Sequence, residues 1–392
     1  MASATKRGQG RWLGRYRGPD GRERTKTFAT KRDAERWAQE QERKVRTMDW
    51  TDPVLAKTTI AEWADHWVTT LHVAPSTLDS YRSILRGLVI PRWGALRLDQ
   101  VTFTAVQSWV AGMTGAKGQL LSASRRRHAA HLLTAMLDAA VADGRLPKNP
   151  ARPQGGAGRK GMLPKLPATG GHRYLRHEEL QKLAAHAASY ETLVLVLGYC
   201  GVRWGEAAAL RVRSVDLLRG RLLVTESVSE VEGGLSYGPT KTHQARTVPV
   251  PSFLRKQLDA LMEGKSPDDL LFTSPEGASL RNGNFRKRVF LPAIKASGLP
   301  ALRIHDLRHT AASLAVASGA NVKAVQKMLG HASATMTLDT YADLFDDELD
   351  AIAERMDERA AQARADSLRT ADGSTLVSLP ASEVQQVADL RR

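Results

Sequence analysis

Residues 305–341 read HDLRHTAASLAVASGANVKAVQKMLGHASATMTLDTY. His305 and His309 stand four positions apart, which places them on one side of a helix. Val322 to Leu329 reads as a second helix, and Gly330 ends it where a left-handed residue is easiest. His331 then emerges at a corner, and Thr335 to Tyr341 begins a further helix or turn that Met336, Leu338 and Leu344 can anchor. Two imidazoles, the Arg308 guanidinium and the Tyr341 phenol are thus carried on short helical elements. The His305/His309 pair superficially matches the paired histidines of zinc hydrolases. Asp306 replaces the glutamate base of that motif, Arg308 would set a cation beside the metal, and no downstream glutamate has a ligand spacing, so no metal is expected. His309 reads as a hydrogen-bonded core histidine.

Upstream, Cys200-Gly201-Val202-Arg203-Trp204-Gly205-Glu206 follows the apolar run Leu193 to Val202, and Glu206 is positioned to support Arg203 or simply to pair with it. Between these stretches, Arg221 to Val250 is rich in strand formers interrupted by Gly233-Gly234 and Gly238-Pro239, and Lys241 sits in the turn Gly238 to Thr242. Residues 172–345 therefore read as one mixed α+β, mainly helical domain. Residues 151–171 hold six Gly, three Pro and four basic residues, the composition of a linker. Residues 58–150 read as an all-α bundle: Ile60, Trp63, Ala64, Trp67 and Leu71 form one stripe. Ser122 to Asp143 forms a helix with Leu132, Leu133, Met136, Leu137 and Ala140 inward and Arg125, Arg126 and Arg127 near its start. Residues 1–50 read as a small β-sheet backed by a helix that Thr30 caps, with Arg11, Arg15 and Arg17 interleaved with Trp12 and Tyr16.

The whole chain of 392 residues is thus multidomain, and its charge is +16 from 57 Lys and Arg against 41 Asp and Glu. A surface that basic attracts polyanions, and nucleic acid is the first partner to consider. Residues 346–392 depart from this balance: from 343 onward, 12 acidic residues face 6 basic ones. An amphipathic helix with Leu349, Ile352, Ala353, Met356, Ala360 and Ala363 on one stripe is expected there. One cysteine, Cys200, excludes an intramolecular disulfide, and no apolar run approaches the length of a membrane span, so a reducing cytoplasm is expected.

The four segments around Arg203, Lys241, His305-Arg308 and His331-Tyr341, in that order and spacing, resemble the tyrosine recombinase or phage integrase family over roughly residues 58–345. Residues 1–50 resemble the arm-type DNA-binding domain that phage integrases carry ahead of that core. The resemblance implies a core-binding helical domain at 58–150 and a catalytic domain at 172–345. By that likeness Tyr341 is the nucleophile, Arg203 and Arg308 bind the scissile phosphate, and Lys241 is the general acid. His305 and His331 assist, and no cofactor is needed. It further implies a homotetramer on two duplexes, core-type and arm-type attachment sites, a host DNA-bending protein and an excision factor. The acidic tail then docks on its own domain or on a neighbour.

Elementary chemistry agrees with these roles. In-line substitution at a phosphodiester gathers negative charge on the oxygens of a five-coordinate phosphorus, and preorganised guanidinium groups answer it without a metal. A phenol with a reference pKa of about 10 needs a base or a positive field, and the cationic neighbours are expected to provide it. A departing alkoxide benefits from a proton delivered by an ammonium. The competing readings are a type IB topoisomerase of the same chemistry, an invertase, resolvase or transposase, and a DNA-binding regulator that has kept the fold. For the N-terminal arginines and for Arg125, Arg126 and Arg127 the alternative is a solvated basic face.

Overall fold

The computed structural model describes residues 2–8, 10–47, 50–52, 54–153, 163–166, 173–240, 244–341 and 349–372. The chain divides into two compact units, Met1–Gly171 with Ser229–Ser236, and His172–Val228 with Tyr237–Arg392.

In the first unit, strands β1 (Ser3–Lys6), β2 (Trp12–Arg17) and β3 (Glu23–Phe28) form an antiparallel sheet in that order, against which α1 (Lys31–Arg46) packs. The sequence pattern marks strands at residues 11–17 and 22–28; β1 is a third, whose short SATK sequence carries no alternating apolar signal. Thr30 caps α1 by accepting the Asp33 N–H at 3.2 Å. Gly14 is required between sheet and helix, because a Cβ there would sit 2.7 Å from the Ala34 carbonyl oxygen. Tyr16 is buried beside Trp37 and accepts a hydrogen bond from the Trp50 indole at 2.9 Å.

The helical part of this unit comprises α2 (Ile60–Thr69), α3 (Pro75–Ile84), α4 (Ile90–Trp93), α5 (Phe103–Ala111) and α6 (Ala123–Ala142). Thr59 and Glu62 form a reciprocal capping box on α2, and Ser122 caps α6. A π-type segment, Leu85–Val89, joins α3 to α4 just before Pro91, which has no N–H to close the preceding turn. Ile60, Trp63, Leu133, Met136, Leu137 and Trp93 meet in one core, and the Trp63 indole donates to the Met136 carbonyl at 2.8 Å. Most of the expected linker lies outside the described residues, though Ala151 and Leu163 pack on this core.

The second unit begins with α7 (His177–Ala185), α8 (Glu191–Leu195) and α9 (Trp204–Ala207). A three-stranded sheet, β4 (Val215–Asp216), β5 (Arg221–Val224) and β8 (Arg246–Pro249), follows, and the hairpin β6 (Glu226–Val231) and β7 (Gly234–Pro239) is shared, its Ser229–Ser236 stretch belonging to the first unit. Helices α10 (Ser252–Met262), α11 (Asn282–Phe285) and α12 (Leu291–Ala296) lead to α13 (Ile304–Ala317), α14 (Val322–Leu329) and α15 (Ala334–Tyr341). α13 is the central element, with its face from Ile304 to Ala312 almost wholly buried against the segment Val196–Cys200. The last helix, α16 (Leu349–Asp372), is longer than expected, and Met356 on it is 67% exposed. No helix among the described residues is long and apolar enough to cross a membrane.

Leu133 of α6 is fully buried in the helical core, so Leu133→Ala should cost about 2–5 kcal/mol in a urea titration.

Candidate active site

The site is assembled from three chain corners. The first is the turn at Gly201, whose φ of 65° and lack of a side chain are both needed, because a Cβ would lie 2.8 Å from Leu329 and 3.1 Å from Ala311. It releases the chain so that Arg203 precedes α9 and Glu206 falls one turn on. Glu206 is 1% exposed and accepts the Arg203 backbone N–H at 2.8 Å and its Nη1 at 2.9 Å. The expected pairing is therefore present, but Glu206 serves a second partner. Arg246, at the start of β8, donates Nη1 at 2.9 Å and Nη2 at 2.5 Å to the two carboxylate oxygens, and its Nε to the Met328 carbonyl at 3.1 Å. Burial alone would raise the Glu206 pKa; the Arg246 hydrogen bonds and charge, with Arg203, bring it down to about 2.

The second corner is α13. Arg308 is 3% exposed and donates through both terminal nitrogens, to the Gly201 and Leu329 carbonyls, so its fork is rigidly aimed. Desolvation and the charges of Arg203 and Arg246, with Glu206 opposing, lower its pKa to about 9, which leaves it charged at neutral pH. Asp306 accepts the Arg303 N–H at 2.8 Å and pairs with its guanidinium, so it caps the helix. His305 lies beside a cavity of about 240 Å³ lined with Trp204, Asn282, Arg286, Arg303 and Arg308. Partial desolvation and the charges of Arg308 and Arg203 lower its pKa.

The third corner is the Gly330 turn, with φ 66° as expected. His331 shares a hydrogen bond at 3.0 Å between Nδ1 and the Thr337 hydroxyl. Burial and then Arg308, Arg203 and Arg246 push its pKa down to about 4, so it is neutral at physiological pH. Tyr341 is 1% exposed, with its ring parallel to His331 at 6.4 Å and near Tyr174 at 6.3 Å. Its hydroxyl lies 2.8 Å from Nδ1 of His309.

Two expectations change here. The positive field was expected to ease loss of the phenolic proton; burial outweighs the opposing Arg308 charge and pushes Tyr341 up to about 12. His309 is buried and hydrogen-bonded, as read, but its partner is the phenol itself, a pairing across 32 residues that no local spacing announces. Arg246 was also missed, since an arginine opening a strand looks like any edge residue. Lys241 lies outside the described residues.

The remaining basic candidates are not part of this cluster. Trp12, Gly14 and Tyr16 of β2 face α1, whereas Arg11 and Arg17 are exposed and Arg15 pairs with Glu23 at 3.6 Å. The aromatics thus build the core of the small module rather than sharing a face with the arginines. Arg126 donates to the Val110 and Ala111 carbonyls at the end of α5, and Arg127 to the Pro164 carbonyl. Arg125, half-buried, has its backbone N–H on the Ser122 hydroxyl. Among the described residues no group of three or more His, Cys, Asp or Glu is gathered as a metal site would need.

Comparison with known proteins agrees across both units. The phage integrase family model matches residues 173–348, and the model of the phage integrase N-terminal domain matches residues 3–47. A putative prophage phiRv2 integrase of Mycobacterium tuberculosis is 30% identical over 342 residues, covering 84% of this chain and 88% of that one. The integrase of Mycobacterium phage D29 is 30% identical over 340 residues, covering 83% and 85%. Among solved structures, a Tn1549 transposon integrase in complex with circular intermediate DNA superposes with a TM-score of 0.62 at 20% identity, covering 76% of this chain and 100% of that chain. A lambda integrase tetramer bound to a Holliday junction gives 0.55 at 19%, covering 85% and 96%. At such identities these structures bear on the fold.

The Glu206 pKa lies below its ordinary value of 4.5, so its share of stability is complete above that pH and is lost as pH falls toward 2. The melting temperature of the wild type should fall more steeply between pH 4.5 and 2 than that of Glu206→Gln.

Proposed function

From the premise that the chain belongs to the phage integrase family, we propose that Tyr341 cleaves DNA while Arg203 and Arg308 hold the scissile phosphate. The protein is a phage-type, site-specific DNA recombinase. In the proposed step the Tyr341 oxygen attacks phosphorus, the bond to the 5′-oxygen breaks, and a 3′-phosphotyrosine forms. Lys241 protonates the leaving 5′-oxygen. The 5′-hydroxyl of the partner strand then reverses the step, so the energy of the phosphodiester is kept in the protein-DNA link.

The observation that carries this reading is the convergence of Arg203, Arg308, His331 and Tyr341 from three separate corners on one buried cluster. His305 and His331 donate hydrogen bonds to the phosphate oxygens and assist proton transfer. His309 receives the phenolic proton, since it is the group already at its hydroxyl. With Tyr341 enclosed, the observed arrangement is a resting one, and DNA must draw the phenol toward the phosphate.

Residues 1–50 bind arm-type sites through Arg11, Arg15 and Arg17, and residues 58–150 bind core-type DNA, with Arg125, Arg126 and Arg127 at phosphates. Residues 172–345 form the catalytic domain. Four protomers act on two duplexes, with a host DNA-bending protein and an excision factor setting geometry and direction. The exposed α16 helix offers its acidic surface to a neighbouring protomer.

Incubation of the wild type in EDTA with a nicked duplex carrying a core site should give a covalent adduct on a denaturing gel, and Tyr341→Phe should give none. An equal adduct with the variant removes the nucleophile, and supercoil relaxation without strand exchange points instead to a topoisomerase. Arg15→Ala with Arg17→Ala should weaken binding to an arm-type duplex and make the slope of log K against log salt shallower by about 0.9 for each phosphate no longer neutralised.

A further inference from the structure

We propose that Arg246 is a positioning residue for strand cleavage: it saturates the Glu206 carboxylate, so that Arg203 keeps its positive charge and its outward donors for the scissile phosphate. The proposal rests on the reading of Arg203 as a phosphate ligand.

One buried carboxylate stands between two guanidinium groups, and the two engage it unequally. Arg246 gives both terminal nitrogens to both Glu206 oxygens and spends Nε on the Met328 carbonyl, and its side chain is only 8% exposed. Three of its five N–H donors are thus spent inside the protein and the side chain is almost covered, so Arg246 is a partner for Glu206 rather than a group presented to DNA. Arg203 gives Glu206 a single side-chain bond, its Nε and Nη2 have no partner among the described residues, and its side chain is 24% exposed. A carboxylate cancels about one cation, and the fork-to-fork geometry assigns that cancellation to Arg246. Arg203 and Arg308 are then left as two net charges facing a phosphodiester that gains negative character during substitution.

The surroundings are shaped for this side chain. A Cβ on Gly330 would come within 2.7 Å of Arg246 Cδ and 3.1 Å of its Nε, so the left-handed turn before His331 closes directly over the Arg246 stem. Arg246 thereby ties β8, the start of α9 and the turn ahead of His331 together. Lysine could supply charge at this position but neither the second carboxylate bond nor the bond to Met328. If Arg246 were removed, Glu206 would turn its full charge on Arg203 and draw that fork away from the phosphate.

The test is single-turnover cleavage of nicked duplexes carrying either a normal phosphate or an uncharged methylphosphonate at the scissile position. Arg246→Gln should slow cleavage of the phosphate by about 10²-fold, and the methylphosphonate far less, because there is no anion for Arg203 to answer. Adding Glu206→Gln to Arg246→Gln should restore about a tenfold share of the missing rate, since no carboxylate then competes for Arg203. Equal losses on both substrates, or a double variant no faster than the single one, would show that Arg246 only holds the fold. Should Arg246→Gln fail to fold by thermal melting, Arg246→Lys is read on the same two substrates, with the phosphate again the more affected. Separately, full phosphate cleavage by Arg203→Ala would overturn the reading of Arg203 itself.

Discussion

The buried Glu206 carboxylate, held between Arg203 and Arg246, is the constraint on which the arrangement of the site depends. A charge with almost no water contact is tolerated only when paired and fully hydrogen-bonded, and leaving it unpaired is strongly destabilising. Satisfying it requires the turn after Gly201, the first residue of β8 and the end of α14 to meet at one place. Arg308 meets the same corners from α13 through the Gly201 and Leu329 carbonyls. The cations are therefore preorganised by groups that never leave the protein, which is what electrostatic stabilisation of a transition state needs.

The proposed nucleophile, Tyr341, is treated in the opposite way. Enclosure raises Tyr341 to about 12, so ionising it in place at pH 7.5 would cost about 6 kcal/mol. A phenol in that setting is chemically quiet at rest, held by the same His309 hydrogen bond through which its proton is proposed to leave. Rigid cations and a sheltered phenol suit the proposed order of events, in which DNA first seats its phosphate at Arg203 and Arg308 and Tyr341 moves toward it afterwards.

Much of this was legible from residues alone. The start of α6 was marked by Ser122, whose hydroxyl suits a helix N-cap, and its end falls at Asp143 as the apolar spacing predicts. Gly330 was readable because helix ends select glycine for positive φ, whereas Arg203, Arg308, His331 and Tyr341 stood out only as a set, through the family that their order and spacing resemble. What escaped was set by tertiary packing. Arg246 and His309 owe their importance to partners 40 and 32 residues away, and periodicity reports only neighbours along the chain. The Tyr341 environment escaped for the same reason, because the balance between burial and field depends on depth, and depth is a property of the packed molecule. β1 escaped because its four residues gain their strand conformation from β2 rather than from their own pattern.

Tandem mass spectrometry of the digested covalent complex decides whether one phenolic oxygen takes over the 3′ end of a cleaved strand. A single nucleotide-bearing peptide, modified at Tyr341 and attached through a 3′-phosphate, is expected. A link at any other side chain, or through a 5′-phosphate, would rule Tyr341 out as the group that cleaves.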